Sequence, residues 1–89
     1  MEPEKLKNLV VQALEDMKGV DIRVLDVRDM TAITDFMVTV SGTSDRHVKS
    51  LAHNALDKVR EHGVKPLGVE GEQGGEWVLV DLRDVVVHV

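Results

Sequence analysis

The sequence predicts an α/β domain of the α+β kind, a mixed five-stranded sheet packed with two helices in the order α-β-β-α-β-β-β. Three observations predict it. Two segments repeat apolar residues at helical offsets, several short β-branched runs stand between and after them, and 89 residues leave room for one core only. The whole chain, residues 1–89, is therefore one domain.

The first helix is expected over roughly residues 3–18, where Leu6, Leu9, Val10, Ala13, Leu14 and Met17 fall on one stripe. Pro3 suits its first turn and Glu4 the N-terminal end of the dipole. Lys18 suits the C-terminal end, and Gly19 the left-handed position beyond it. Ile22–Val27 reads as a strand. Phe36–Val40 reads as a second, nearly all apolar and so expected to be buried on both faces. Val48, Leu51, Ala52, Ala55, Leu56 and Val59 restore the helical period, and Lys58, Arg60, His62 and then Gly63 close this second helix. Lys65–Val69, Trp77–Leu82 and Asp84–Val89 complete the strands, with a glycine-rich loop from Glu70 to Glu76. The strand, helix, strand succession from Phe36 to Val69 predicts a right-handed crossover between parallel strands, and the shorter connections permit antiparallel neighbours. Two helices with one apolar stripe each leave part of the sheet uncovered, an apolar surface for a partner.

Composition excludes several classes of function. Hydrophobic residues make up 43% and charged residues 30% of the chain, the balance of a folded globule. Without cysteine there is no disulfide, thiolate metal site or cysteine nucleophile. The opening residues lack the apolar core of a signal peptide, and no run approaches the ~20 apolar residues of a membrane span. A cytoplasmic address follows by elimination. The formal charge of −5, without a basic cluster, argues against nucleic acid as the main source of affinity and favours a basic protein partner.

Candidate chemistry is sparse. Ser41-Gly42-Thr43-Ser44 stands between a strand and a helix, where an anion can sit on free N–H groups, but Asp45 follows and Ser or Thr there is an ordinary helix cap. Asp81 and Asp84 are three apart, so on a strand they point to opposite faces unless a turn intervenes, a poor arrangement for a shared metal. Glu70 and Glu72 have same-face spacing at the mouth of the glycine loop and read as a solvated acidic turn. His47, His53, His62 and His88 form no local ligand pair, so neither a metal nor another cofactor is expected. Phe36 and Trp77 are the only aromatics. Beside Gly74-Gly75, Trp77 suits an interface as well as a core.

These residues carry a resemblance. Asp21-Ile22 through Leu25-Asp26-Val27, Ile33-Thr34-Asp35, Ser41 through Val48, Pro66 through Gly71 and Trp77 through Val89 resemble, in order and spacing, the signature of the Iojap family of ribosomal silencing factors. The resemblance implies a nucleotidyltransferase-like fold without the transferase carboxylates, and no enzymatic activity. It implies a partner, the large ribosomal subunit through its protein number fourteen, and an action: blocking the joining of the small subunit, so that translation falls when nutrients are scarce. It assigns contacts to Trp77 and Leu82, with Asp81, Asp84 and His88 near them. Without a transit peptide, a bacterial member is expected rather than an organellar one. Family members usually continue past the Val-His-Val tail into an aromatic-containing amphipathic segment. Its absence leaves the last strand as an edge without that protection, and an unprotected edge invites a homodimer. The second reading, of another class, is a nucleotide-binding or nucleotidyl-transfer enzyme using the Ser41–Ser44 turn.

Overall fold

A computed structural model describes residues 1–71 and 76–89. Helix α1 spans Pro3–Asp16 and α2 Asp45–Glu61; the strands are β1 Val20–Asp26, β2 Phe36–Ser41, β3 Gly68–Glu70, β4 Leu79–Asp81 and β5 Val85–His88. The predicted order holds, and the sheet is mixed: β1-β2-β5-β4-β3, with β2 and β5 parallel and the other neighbours antiparallel.

All six apolar positions expected on α2 are buried, as are Leu6, Val10, Ala13 and Leu14 of α1. They meet one face of the sheet, where Phe36, Val38, Val80, Val85 and Val87 complete the core. The helices are tied to each other by the Asn54 side-chain amide, which donates to the Ala13 carbonyl at 2.7 Å.

Both helices end in the same hydrogen-bonded turn. At α2, Gly63 donates to Arg60 and Val64 to Val59, with Gly63 at φ 80°, as expected. At α1 the corresponding bonds run from Lys18 to Glu15 and from Gly19 to Leu14, and here Lys18 is the left-handed residue, at φ 58°. The expectation that Gly19 would hold that position is corrected by one residue. Gly19 serves a different need, because a Cβ there would stand 2.6 Å from Val40 Cγ2.

Two strand expectations, the first and third below, are also corrected, and the second is refined. First, β2 is buried on one face only: Phe36, Val38 and Val40 point to the helices, whereas Met37 and Ser41 are exposed and Thr39 is half-buried. Two helices cannot cover both faces, so the second stays open. Second, β3 runs in the same direction as β2 but does not pair with it; β5 and β4 lie between them. The valine-rich β5 takes the central place, where burial is deepest, with Val85 and Val87 fully buried. The three-residue β3, preceded by Pro66, is confined to an edge. Third, the last strand is not an edge at all. The free edges belong to β1 and β3, so the argument for a homodimer from β5 falls away. On β1 the register shifts between Val20 and Arg23, and Asp21 is at φ 51°, irregularities that blunt an edge against further pairing.

Candidate docking face

Paired residues in a sheet share a face, so the registers define what the uncovered side presents. One row runs Leu25, Met37, Val86, Asp81; the next runs Arg23, Thr39, His88, Leu79, Glu70. Leu25 is 51% exposed, and Val86 and Leu79 are half-buried. Met37, Val86 and Leu79 thus lie toward the middle of this face, with Leu25 and Arg23 on the β1 edge and Asp81 and Glu70 toward the other. The sequence reading missed Leu25, Met37, Leu79 and Val86, although the alternation of Phe36, Val38, Val40 with Met37, Thr39, Ser41 was the signal for an open side.

Trp77 completes the face. Val78 exchanges both backbone hydrogen bonds with Val89 and is fully buried, so Trp77, one residue earlier, turns to the open side. The residue is 44% exposed and its side chain stands outside the core. The indole meets the His88 imidazole edge-on, with centroids 6.1 Å apart and planes at 88°. With Glu70, Leu79 and His88 it lines an open dish of about 350 Å³. Of the two roles the residues left open for Trp77, the structure supports exposure.

The remaining candidates go to different places. Asp81 lies on the open face, but its Oδ1 accepts the Arg83 N–H at 2.8 Å and holds the turn in which Arg83 adopts φ 74°. A turn therefore does intervene between Asp81 and Asp84. The Asp84 carbonyl accepts the N–H groups of Asp35 and Phe36 at 2.9 and 3.0 Å, which joins this turn to the start of β2. Leu82 is only 4% exposed and belongs to the core. The structure thus groups Trp77 with His88, sets Asp81 in the adjoining row, and turns Leu82 inward. Glu72 and the Gly74-Gly75 pair lie outside the described residues.

At the β2–α2 turn two of the backbone donors that could meet an anion are taken up internally. Ser44 Oγ accepts the His47 N–H at 3.1 Å, and the Thr43 N–H donates to His47 Nδ1 at 2.9 Å. Because Nδ1 accepts, Nε2 carries the ring proton and donates to the Met17 carbonyl at 2.8 Å. His47 is therefore a brace between this turn and the end of α1. Ser44→Ala is expected to cost ~1 kcal/mol of stability and lower the melting temperature by several degrees. An unchanged melt would show that the cap contributes nothing.

At the far end of β1, Arg28 Nε and Nη2 donate to Asp26 at 3.0 and 2.6 Å, and these hydrogen bonds hold the carboxyl below its usual range. The pair is solvent-exposed; Asp26 shares its row with Phe36, on the helix side of the sheet, and the Arg28 guanidinium lies 5.0 Å from the Phe36 ring centroid. Among the described residues no group of three or more His, Asp or Glu side chains is placed to hold a metal, and no helix is long and apolar enough to cross a membrane.

An α+β domain whose covered sheet face forms the core, and whose open face gathers apolar side chains around a half-exposed Trp, has the build of a docking module. The family model described as "Ribosomal silencing factor during starvation" matches residues 1–89, and the chain belongs to that family. It is 47% identical over 89 residues to Ribosomal silencing factor RsfS of Chromobacterium violaceum, covering all of this chain and 73% of that protein. A crystal structure of a Chromobacterium violaceum protein, also 47% identical, superposes with a TM-score of 0.97 over the full chain and 74% of its own length. One from Bacillus halodurans, 34% identical, gives 0.92 and covers 97% of this chain and 80% of its own. The α+β class, the element order and the family resemblance read from the sequence are thereby established.

Proposed function

We propose that this chain is a cytoplasmic translational repressor that docks on the large ribosomal subunit, through its protein number fourteen, and keeps the small subunit from joining by occupying the space between them. The observation that carries the reading is the half-exposed Trp77 on an open sheet face that also presents Leu25, Met37, Leu79 and Val86. A single-domain protein leaves such a face uncovered at a cost, unless a partner covers it. Trp is also the residue type most enriched among the dominant contacts of interfaces. His88 and Leu79 adjoin Trp77, and Asp81 lies in the next row of the same face. Asp84 and Leu82 act on the shape and charge of the β4–β5 turn. Occlusion requires no bond to be made or broken, and we read the protein as having no catalytic step, metal or cofactor. In support, the Thr43 and His47 N–H groups at the β2–α2 turn are already engaged, by His47 Nδ1 and Ser44 Oγ, and one Asp81 oxygen accepts the Arg83 N–H.

The test is subunit joining. Purified protein added to separated subunits should shift sedimentation from joined ribosomes to free subunits, and the protein should travel with the large one. At −5 the chain should ignore protein-free ribosomal RNA, and added salt should slow association with the subunit without abolishing it. An unchanged fraction of joined ribosomes at saturating protein would overturn the reading, as would tight, strongly salt-dependent binding to bare RNA.

A further inference from the structure

Gly71 directly follows β3 and has the left-handed backbone angle φ 81°. A Cβ on it would stand 2.5 Å from the Trp77 carbonyl oxygen and 2.7 and 2.8 Å from Cε3 and Cζ3 of the indole. The indole therefore rests directly on the Gly71 backbone, with the His88 ring against it as a second support. Neither obstacle is the free end of a flexible side chain: one is main chain, the other a bicyclic ring whose only freedom is two torsions. Any side chain at position 71 must push both the Trp77 backbone and its ring away from where they stand.

We propose that Gly71 is a positioning residue for docking: it is the seat that fixes Trp77 on the open face in the orientation the partner meets. This rests on the docking reading given above and adds to it the residue that sets the Trp. A ring fixed before encounter loses little freedom on binding, so its contact area converts more fully into affinity. Gly71 makes no contact with the partner in this account; it acts through Trp77 alone.

The fold supplies its own control. Gly63 has the same left-handed backbone, φ 80°, but a Cβ there would meet nothing within 4 Å. Gly71→Ala and Gly63→Ala thus share the backbone strain, and only the first disturbs Trp77. Trp77 is the single Trp of the chain, so its emission and its quenching by acrylamide report on this ring without labelling. In the full chain, both variants should melt earlier than the parent. Only Gly71→Ala should shift Trp77 emission and raise its quenching, and only it should weaken large-subunit binding, by at least about tenfold. Gly71→Asn, which tolerates a left-handed backbone but still carries a Cβ, should repeat the effect and keeps the experiment readable if the alanine variant does not fold. Parent-like emission in a folded Gly71 variant overturns the proposal. So does parent-like binding by that variant beside a defective Trp77→Ala, which spares the docking reading. Parent-like binding by Trp77→Ala itself removes the docking reading, and the positioning role with it.

Discussion

Trp77→Ala should weaken binding to the large ribosomal subunit by about 2 kcal/mol or more, roughly thirtyfold, and leave the melting temperature close to that of the parent. The two halves of this result come from one geometry. The residue is 44% exposed, its ring touches Gly71 and His88 and takes no part in the buried cluster, so its removal opens no cavity. On docking, however, the remaining surface of a large rigid ring leaves water at the cost of only two torsions. Melting and ribosome pelleting on the same sample decide the matter. A folded variant that pellets with parent affinity takes Trp77 out of the interface. A loss of ~3–5 kcal/mol in folding stability would instead return it to the core.

Leu82→Ala should give the opposite pattern. The side chain is 4% exposed among the buried residues, so truncation leaves a cavity and costs ~2–5 kcal/mol. In a domain of this size each kcal/mol lowers the melting temperature by about 4–8 °C, and the total stability to draw on is ~5–15 kcal/mol. Binding measured well below the new melting point should fall far less than in Trp77→Ala, because what remains folded still presents the indole. If Leu82→Ala melts with the parent but fails to bind, Leu82 meets the partner directly and its burial in the free chain is relieved on docking.

Much of this fold can be read along the chain because its helices obey a local rule. The six positions predicted on α2 are its six buried residues, since one side of a helix is fixed by spacing alone. Strands were found near their predicted places, but the order in which they pair was not, because pairing depends on which distant segment best tolerates the middle of the sheet. Val85 to Val89 win that position over Gly68 to Glu70 by burying more and by lacking a glycine, a comparison between segments that no local window makes. Phe36 to Val40 misled for a related reason: an apolar run looks buried on both sides until the number of helices available to cover it is counted. At the site, Trp77 left two readings open because exposure of a lone aromatic has no local signature. The alternation of buried Val78 with Trp77 and Leu79 is the feature that turns it outward. Leu82 and Asp81, neighbours in sequence, part company at the turn that Asp81 itself holds, and the αL backbone of Arg83 in that turn could not be foreseen from a residue type that rarely adopts it.

The central position of β5 also constrains how the chain acquires its structure. The β1–β2 hairpin and the β3–β4–β5 meander each consist of strands close in sequence, with short loops to close. They become one sheet only when Phe36 lies beside Val85 and Thr39 beside His88, across the whole of α2 and the meander. That seam carries the largest loss of chain entropy in the molecule and is the step that gives the domain its cooperativity, because neither half covers the helices' apolar stripes alone. The seam is also where the interior and the outer surface are assembled together: the strand that brings Val85 and Val87 into the core brings His88 beside Trp77 in the same register. On the docking reading proposed above, a chain that has not closed its sheet has no finished face to offer, and only the fully folded form should bind.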